Sequence, residues 1–130
     1  MKYMMMVKAD KDYEAGKAPD PRLIAAIGQH AREMTKAGVL LETGGLLPSA
    51  MGARVRAARG KLSVTDGPFI ESKELIGGYA ILQAKSRVEA IELGKAFMQI
   101  HLDVLGSSYE GELEIRQLWD ASECAPDANH

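Results

Sequence analysis

The sequence has almost no cysteine: of its 130 residues only Cys124 carries a thiol. A single cysteine cannot form a disulfide within the chain, so the sequence gives no reason to place the protein in an oxidising compartment. Long apolar runs are missing as well. The apolar residues 4–7 are followed at once by charged ones, which is too short for an export signal or for the ~20 residues of a membrane span. We therefore expect a soluble, cytoplasmic protein.

An excess of charge of one sign is also absent. Sixteen basic and eighteen acidic residues leave a formal charge of −2, which provides no general attraction to nucleic acid or to an anionic membrane. The three histidines are far apart along the chain and lack the spacing of metal ligands. No phosphate-binding loop, dinucleotide fingerprint or nucleophile elbow occurs. We expect no nucleic-acid partner, no membrane contact, no metal and no cofactor.

What is present is a regular alternation of strand and helix patterns within one predicted domain, residues 1–119, followed by a flexible tail at 120–130. Asp20 and Gly38 have the positions of a helix cap and a helix stop, and Ser86 with Glu89 has the spacing of a capping box. Residues 10–21 read as a loop. The predicted strands are 2–8, 39–43, 53–58, 61–65, 77–82 and 113–119, and the predicted helices are 22–37 and one beginning after Ser86.

Two helices with a mostly antiparallel sheet predict a ferredoxin-like α+β domain with an inserted β-hairpin. Two helices cover only one face of such a sheet. The apolar side chains on the other face need a cover, because large exposed apolar patches are uncommon on monomers, so we expect a homodimer. The uncovered side chains are Met4 and Met6, together with either Ala80 and Leu82 or Tyr79 and Ile81.

In the inserted hairpin, the alternation predicts that Val55, Leu62 and Val64 face inward, with the bend at Arg59-Gly60. The cationic side chains of the hairpin have two interpretations. They could bind a phosphate or a carboxylate, or they could protect an exposed hairpin from pairing with other chains. These side chains are Arg54, Arg56, Arg59 and Lys61.

The stretch from Asp66 to Glu74 is where we expect a functional site. Turn-forming residues stand between two strands and are followed by charged side chains, and sites commonly lie on loops held by rigid elements. Asp66 reads as a general base, as a substrate anchor, or as the residue that holds the turn by accepting a backbone N–H. Glu71 and Glu74 beside Lys73 read as a proton-transfer pair or as a solvated loop that pairs its own charges.

Two histidines are further candidates. His101 is predicted on the apolar side of the second helix and His30 at the margin of the first. A histidine in such a place is either a half-buried packing residue or a general base. The candidate catalytic residues are therefore His101, Asp66 and Glu74, and the candidate ligand-binding residues are Lys73, Glu71, Phe69 and Tyr79.

The block Asp66-Gly67-Pro68-Phe69, with Glu71, Lys73-Glu74 and Gly77-Gly78 after it, resembles the signature of the DGPF branch of the YCII-related family. The likeness extends over residues 1–120. It implies a pairing of two chains into a dimeric α+β barrel.

The wider superfamily is associated with a histidine and an aspartate that act in a cleft. The place of that histidine in the first helix is occupied here by Ile27. A pairing of His101 with Asp103 is therefore a hypothesis and not a transfer from the family.

Two functions follow from these observations. One is a cofactor-independent enzyme, of lyase or hydrolase type, that binds a small anionic organic molecule. The other is a non-catalytic ligand-binding or accessory module, which fits the association of DGPF proteins with transcription sigma factors. A cofactor-free oxygenase is a third, by analogy of fold alone. A polar cavity that brings Asp66, Glu71 or Glu74 close to His101 would favour the enzyme, and an apolar cavity would favour the module.

Overall fold

The computed structural model describes residues 1–70 and 74–120. Its elements follow the predicted order, with a one-turn helix and a short 3₁₀ turn added. The strands are β1 (Lys2–Lys8), β2 (Leu40–Gly45), β3 (Ala53–Ala58), β4 (Lys61–Asp66), β5 (Ile76–Gln83) and β6 (Leu113–Gln117). The helices are α1 (Lys11–Glu14), α2 (Pro21–Lys36) and α3 (Arg87–Leu105), and the 3₁₀ turn is Ser49–Met51.

Four strands form one antiparallel sheet in the order β2-β5-β1-β6, and β3 pairs with β4 in a separate hairpin. This order, with α2 and α3 as the connecting helices, is the ferredoxin-like arrangement. The predicted α+β class and the inserted hairpin are therefore confirmed.

The interpretation of residues 10–21 as a loop was wrong in one part. The side chain of Asp10 accepts a hydrogen bond of 2.7 Å from the N–H of Tyr13 and caps the one-turn helix α1. The predicted strand at 113–119 is also too long, because β6 ends at Gln117 and Trp119 is exposed.

The ends of the two long helices are where the capping residues predict them. Asp20 accepts a hydrogen bond of 2.8 Å from the N–H of Arg22. Ser86 accepts one of 3.2 Å from the N–H of Glu89, whose carboxylate in turn accepts the N–H of Lys85. These bonds satisfy N–H groups that have no partner within the helix.

The core lies between the sheet and the two long helices. Tyr3 and Met5 of β1 are buried there with Leu82 of β5 and Ala90 of α3. Helix α3 approaches the sheet closely at Gly94, where an added Cβ would lie 2.7 Å from Cδ1 of Ile115. The close approach explains why this position on the helix has no side chain.

The other face of the four-stranded sheet, the open face, lies away from the long helices α2 and α3, although Met6 on this face is only 8% exposed. Met4 is opposite Ile81 and Met6 is opposite Tyr79 in the β1–β5 register. Because the side chains of directly opposite residues point to the same face, the open face has Tyr79 and Ile81 on β5. Ala80 therefore belongs to the helix side of the sheet.

The β3–β4 hairpin has the predicted register but not the predicted burial. Val55 is opposite Val64, and the bend has positive φ at Arg59 and Gly60. The prediction that Val55, Leu62 and Val64 face inward was wrong, since Val64 is 67% exposed. Alternation determines which residues share a face, and here no described helix or strand of the four-stranded sheet covers that face.

Candidate functional site

The loop after β4 is fixed by a chain of hydrogen bonds that begins in α1. The carboxylate of Glu14 accepts the N–H of Ser49 at 2.9 Å and also the hydroxyl of Ser49. The same hydroxyl oxygen accepts the N–H of Phe69 at 2.9 Å. Segments that are far apart in the sequence are thereby joined at the base of the hairpin. We call these three residues the joint.

Gly67 fits against the 3₁₀ turn without space for a side chain. Its N–H donates to the carbonyl of Gly52 at 2.9 Å, and an added Cβ would overlap the carbonyl oxygen of Ser49. The peptide bond to Pro68 is cis. The glycine of this turn is therefore required by the close approach of two backbone segments.

Asp66 ends β4 opposite Ala53 and is exposed. Among the described residues, none donates a hydrogen bond to its carboxylate. The residue two positions further on is Pro68, which has no N–H to donate. Asp66 therefore does not hold the turn by that bond, and its side chain is exposed.

Of the charged loop, Glu74 lies within the described residues, and Glu71 and Lys73 lie outside them. The side chain of Glu74 is 80% exposed, and its carboxylate is 4.0 Å from Nζ of Lys8. Lys8 is closer to Glu114, at 3.3 Å. Ion pairs with one exposed partner are weak because water screens them, so Glu74 has the environment of a solvated side chain.

The two aromatic candidates each have a polar partner. The ring of Phe69 lies 3.9 Å from the guanidinium carbon of Arg54, in the geometry of a cation–π contact. The hydroxyl of Tyr79 donates to the carboxylate of Glu42 at 2.7 Å. This hydrogen bond and the negative charge of Glu42 raise the pKa of Tyr79 above its usual value.

His101 is buried within α3, with 6% of its surface exposed. Its Nδ1 is 3.1 Å from the carbonyl oxygen of Phe97, and its ring contacts Phe97 edge-on and stacks on Tyr109. Because a carbonyl oxygen only accepts, Nδ1 carries the proton of this bond and Nε2 of a neutral ring is left as an acceptor.

His101 and Asp103 do not form a pair. The carboxylate of Asp103 is exposed and accepts a hydrogen bond of 2.9 Å from Gln99. Residues two positions apart on a helix point in different directions. The side chain that does lie beside His101 is Tyr109, and burial, together with the charge of Asp10, raises its pKa.

A hollow of about 310 Å³ lies between the sheet and the two long helices. Most of its wall is carbon, and no charged side chain lines it within the described residues. The hydroxyl of Thr43 donates to the carbonyl of Tyr79 at 2.9 Å. The hollow is lined by Met5, Val7, Ile27, Thr43, Gly44, Gly45, Gly78, Tyr79, Ala80, Phe97 and Leu113.

The hollow meets the condition stated above for a ligand-binding module. His101 is outside its lining, which includes Phe97, the residue that contacts the histidine ring. Asp66 and Glu74 are exposed elsewhere. Among the candidate residues named from the sequence, Tyr79 borders the hollow, but its side chain lies on the open face, where it is bonded to Glu42.

One pair of glycines was the signal that could have located the hollow. Gly45 is opposite Gly78 on neighbouring strands, and both residues line the hollow, so two side chains are missing from this region of the sheet. Within residues 1–70 and 74–120, no three His, Cys, Asp or Glu side chains come together as metal ligands. The described helices include none that is long and apolar enough to cross a membrane.

Comparison with known proteins identifies the chain's relatives. A family model described as the YCII-related domain matches residues 1–105. An uncharacterized protein, R00369, from Rhizobium meliloti (strain 1021) is 30% identical over 79 residues, which are 61% of this chain and 64% of the relative. The chain thus spans less than two thirds of the length of this relative.

Proposed function

Because the chain belongs to the YCII-related family, we propose that it binds a compact, mainly apolar organic molecule in the hollow between its sheet and its long helices. Binding without catalysis is the function we favour. The observation that carries the proposal is the carbon-lined hollow of about 310 Å³, a volume at the lower end of the range of small-molecule sites. A neutral ligand fits this lining better than the anionic one expected from the sequence.

Ile27 supports binding without acid–base chemistry. In relatives, the resemblance places a histidine at this position of the first helix, and here an isoleucine side chain lines the hollow instead. A hydrocarbon side chain cannot accept or donate a proton. The hollow of this chain therefore lacks the imidazole that the resemblance implies at this position.

The test uses two probes that differ in one group, p-cresol and 4-hydroxybenzoate. Methyl-labelled protein is titrated with each, and the methyl signals of Val7, Ile27 and Leu113 are followed by NMR. We expect p-cresol to shift these signals and 4-hydroxybenzoate to shift them much less, since the hollow offers no cation to a carboxylate.

The matched variants are Ile27→Phe and Ile24→Phe. The first fills the hollow and should abolish the shifts, whereas the second places the same ring on the exposed side of α2, where Ile24 lies, and should leave them unchanged. Equal binding of p-cresol by the two variants, or no binding by the unaltered protein, would show that the hollow is not a binding site for p-cresol.

An acid–base enzyme is the second candidate, and the buried imidazole of His101 favours it. Its Nδ1 proton is directed to Phe97, and Nε2 has no partner among the described residues. The same NMR samples serve as the test, because conversion of either probe over a day would appear as new signals. Conversion that is lost in His101→Asn would favour this candidate over the first.

We also propose that two copies of the chain form a homodimer, since neither long helix packs on the open face of the sheet. The dimeric barrel, the DGPF branch, the cytoplasmic location and the link with transcription regulation stay predictions. The homodimer is tested by sedimentation of the unaltered protein at tens of micromolar. A single species with the mass of one chain would contradict it.

A further inference from the structure

The β3–β4 hairpin, residues 53–66, is exposed along its whole length. We call it the arm. It lies outside the four-stranded sheet, and none of the described helices packs against it extensively. A two-stranded hairpin alone is marginally stable in water. The arm therefore needs a surface to pack against.

One face of the arm is apolar. Val55 is opposite Val64, and Ala57 is opposite Leu62, so these four side chains share a face. Leu62 is 76% exposed. Further exposed apolar residues surround the base of the arm, namely Leu47, Met51 and Ile70. All of these exposed apolar side chains belong to the arm or to the segments that flank its base.

The base of the arm is fixed by the joint. Ser49 is hydrogen bonded to both Glu14 and Phe69, and Gly67 is bonded to Gly52. The arm thus leaves the body of the protein in a set direction. A surface held in this way loses little conformational freedom when it binds.

The distribution of charge indicates which surface the arm contacts. It carries four cationic side chains and one acid, a formal charge of +3, so the remainder of a chain whose total is −2 carries −5. An arm of one copy is therefore attracted to the body of another. The cations include Arg54, Arg56 and Lys61, which are on the opposite face to Val55 and Val64.

From these four observations we propose that the arm packs its apolar face on a second copy of this chain. The proposal rests on the homodimer proposed above and goes beyond it, because it assigns the main contact to residues 53–66. A barrel made by the open faces alone would not need the arm.

The test compares Val64→Asp with Val88→Asp by sedimentation across a concentration series. The two valines are equally exposed, at 67% and 68%, but Val88 lies in the first turn of α3, away from the arm. Val64→Asp should raise the dissociation constant of the dimer at least about 30-fold, the effect of removing a central interface contact. Val88→Asp should leave it unchanged.

The outcomes separate the two proposals. An unaltered protein that stays monomeric overturns both. If Val64→Asp leaves the dimer intact, the proposed packing of the arm is wrong and the homodimer stands. Loss of the dimer in Val64→Asp alone supports both.

A cross-linking measurement covers the case in which Val64→Asp fails to fold. The variant Leu62→p-benzoylphenylalanine, irradiated as purified protein, should form a covalent product of twice the chain mass, and Val88→p-benzoylphenylalanine should not. The absence of a cross-linked product from position 62 would contradict the packing of the arm on a second copy. Because the bodies are acidic and the arms cationic, cross-linking from position 62 should also decrease as salt concentration rises. A yield that is independent of salt would contradict the charge argument.

Discussion

The β6 strand and the arm have the same alternation of apolar and polar residues and opposite environments. On β6, Leu113 and Ile115 lie under α3, close to Gly94. On the arm, Val55 and Val64 share a face that the described protomer leaves in water. The difference teaches that alternation specifies a face, whereas burial depends on what the rest of the assembly places over it.

We expect the largest effect on stability from Gly67→Ala, which places a side chain at the tightly packed base of the arm. The added Cβ would overlap the carbonyl oxygen of Ser49, and we expect a loss of about 3 kcal/mol in the free energy of unfolding. Gly52→Ala is the control, since its Cβ would lie 3.5 Å from the same oxygen. Chemical denaturation of both variants is the measurement, and equal stabilities would contradict the packing described for Gly67.

The same substitution at two helical glycines compares a tightly packed position of the body with an open one. Gly28→Ala should stabilise the protein by up to about 1 kcal/mol through helix propensity, because the nearest atom to its Cβ is at 3.6 Å. Gly94→Ala should destabilise it by about 1 kcal/mol, since the gain in propensity is smaller than the cost of overpacking Ile115 and Leu113. Thermal unfolding measures both. Two changes of the same sign would contradict the close approach of α3.

We expect a smaller loss of stability when the hydroxyl of Ser49 is removed from the joint. Ser49→Ala leaves the N–H of Phe69 and the carboxylate of Glu14 without this partner, and we expect a loss of about 1 kcal/mol. Ser63→Ala on the exposed arm is the matched control and should stay within about 0.5 kcal/mol of the unaltered protein. Chemical denaturation again gives the comparison. If the two serine variants were equal, the joint would not hold the arm.

The smallest effect concerns Tyr79 at the border of the open face. Its pKa is raised by the hydrogen bond to Glu42 and by the charge of that carboxylate. The phenol therefore stays protonated through its usual pKa near 10, and the bond to Glu42 is present below that pH and lost as pH rises through the raised pKa. Ultraviolet titration should show that Tyr79 and Tyr109 ionise above the usual pKa of tyrosine, and Tyr79→Phe should reduce this component by one tyrosine.

Glu42→Gln is the control for this titration. It removes the negative charge and should bring the pKa of Tyr79 back towards its usual value. Tyr109, whose pKa is raised mainly by burial, should remain a late component in both variants. A titration that Glu42→Gln leaves unchanged would assign the shift of Tyr79 to another cause.

The fold could be predicted because its signals are local. The caps Asp20 and Ser86 act on N–H groups two or three residues away, and the apolar stripe of a helix repeats within one turn. The ferredoxin-like order followed from these elements in sequence. The burial of Val55 and Val64 could not be predicted, since it depends on residues outside the hairpin.

A cavity beside the sheet was expected, but the residues that line it could not be predicted, because a cavity is the space that packing leaves unfilled. Its lining brings together Ile27 of α2, Phe97 of α3 and Gly45 of β2, and no short motif relates such distant positions. The charged residues that attracted attention, Asp66 and Glu74, are exposed because solvating a carboxylate is cheaper than burying it. Tyr79, a residue named from the sequence, borders the hollow, with its side chain on the open face.

The one-turn helix α1 links the hollow with the joint. The ring of Tyr13 lies beside Gly77, and its hydroxyl lies beside Gly45, which lines the hollow. The next residue, Glu14, anchors the base of the arm. If the hollow binds a ligand and the arm joins two chains, as proposed, the two sites are connected by this helical turn. A ligand that shifts Tyr13 would then change the affinity of the two chains for each other, and pairing would change the affinity for the ligand by the same factor.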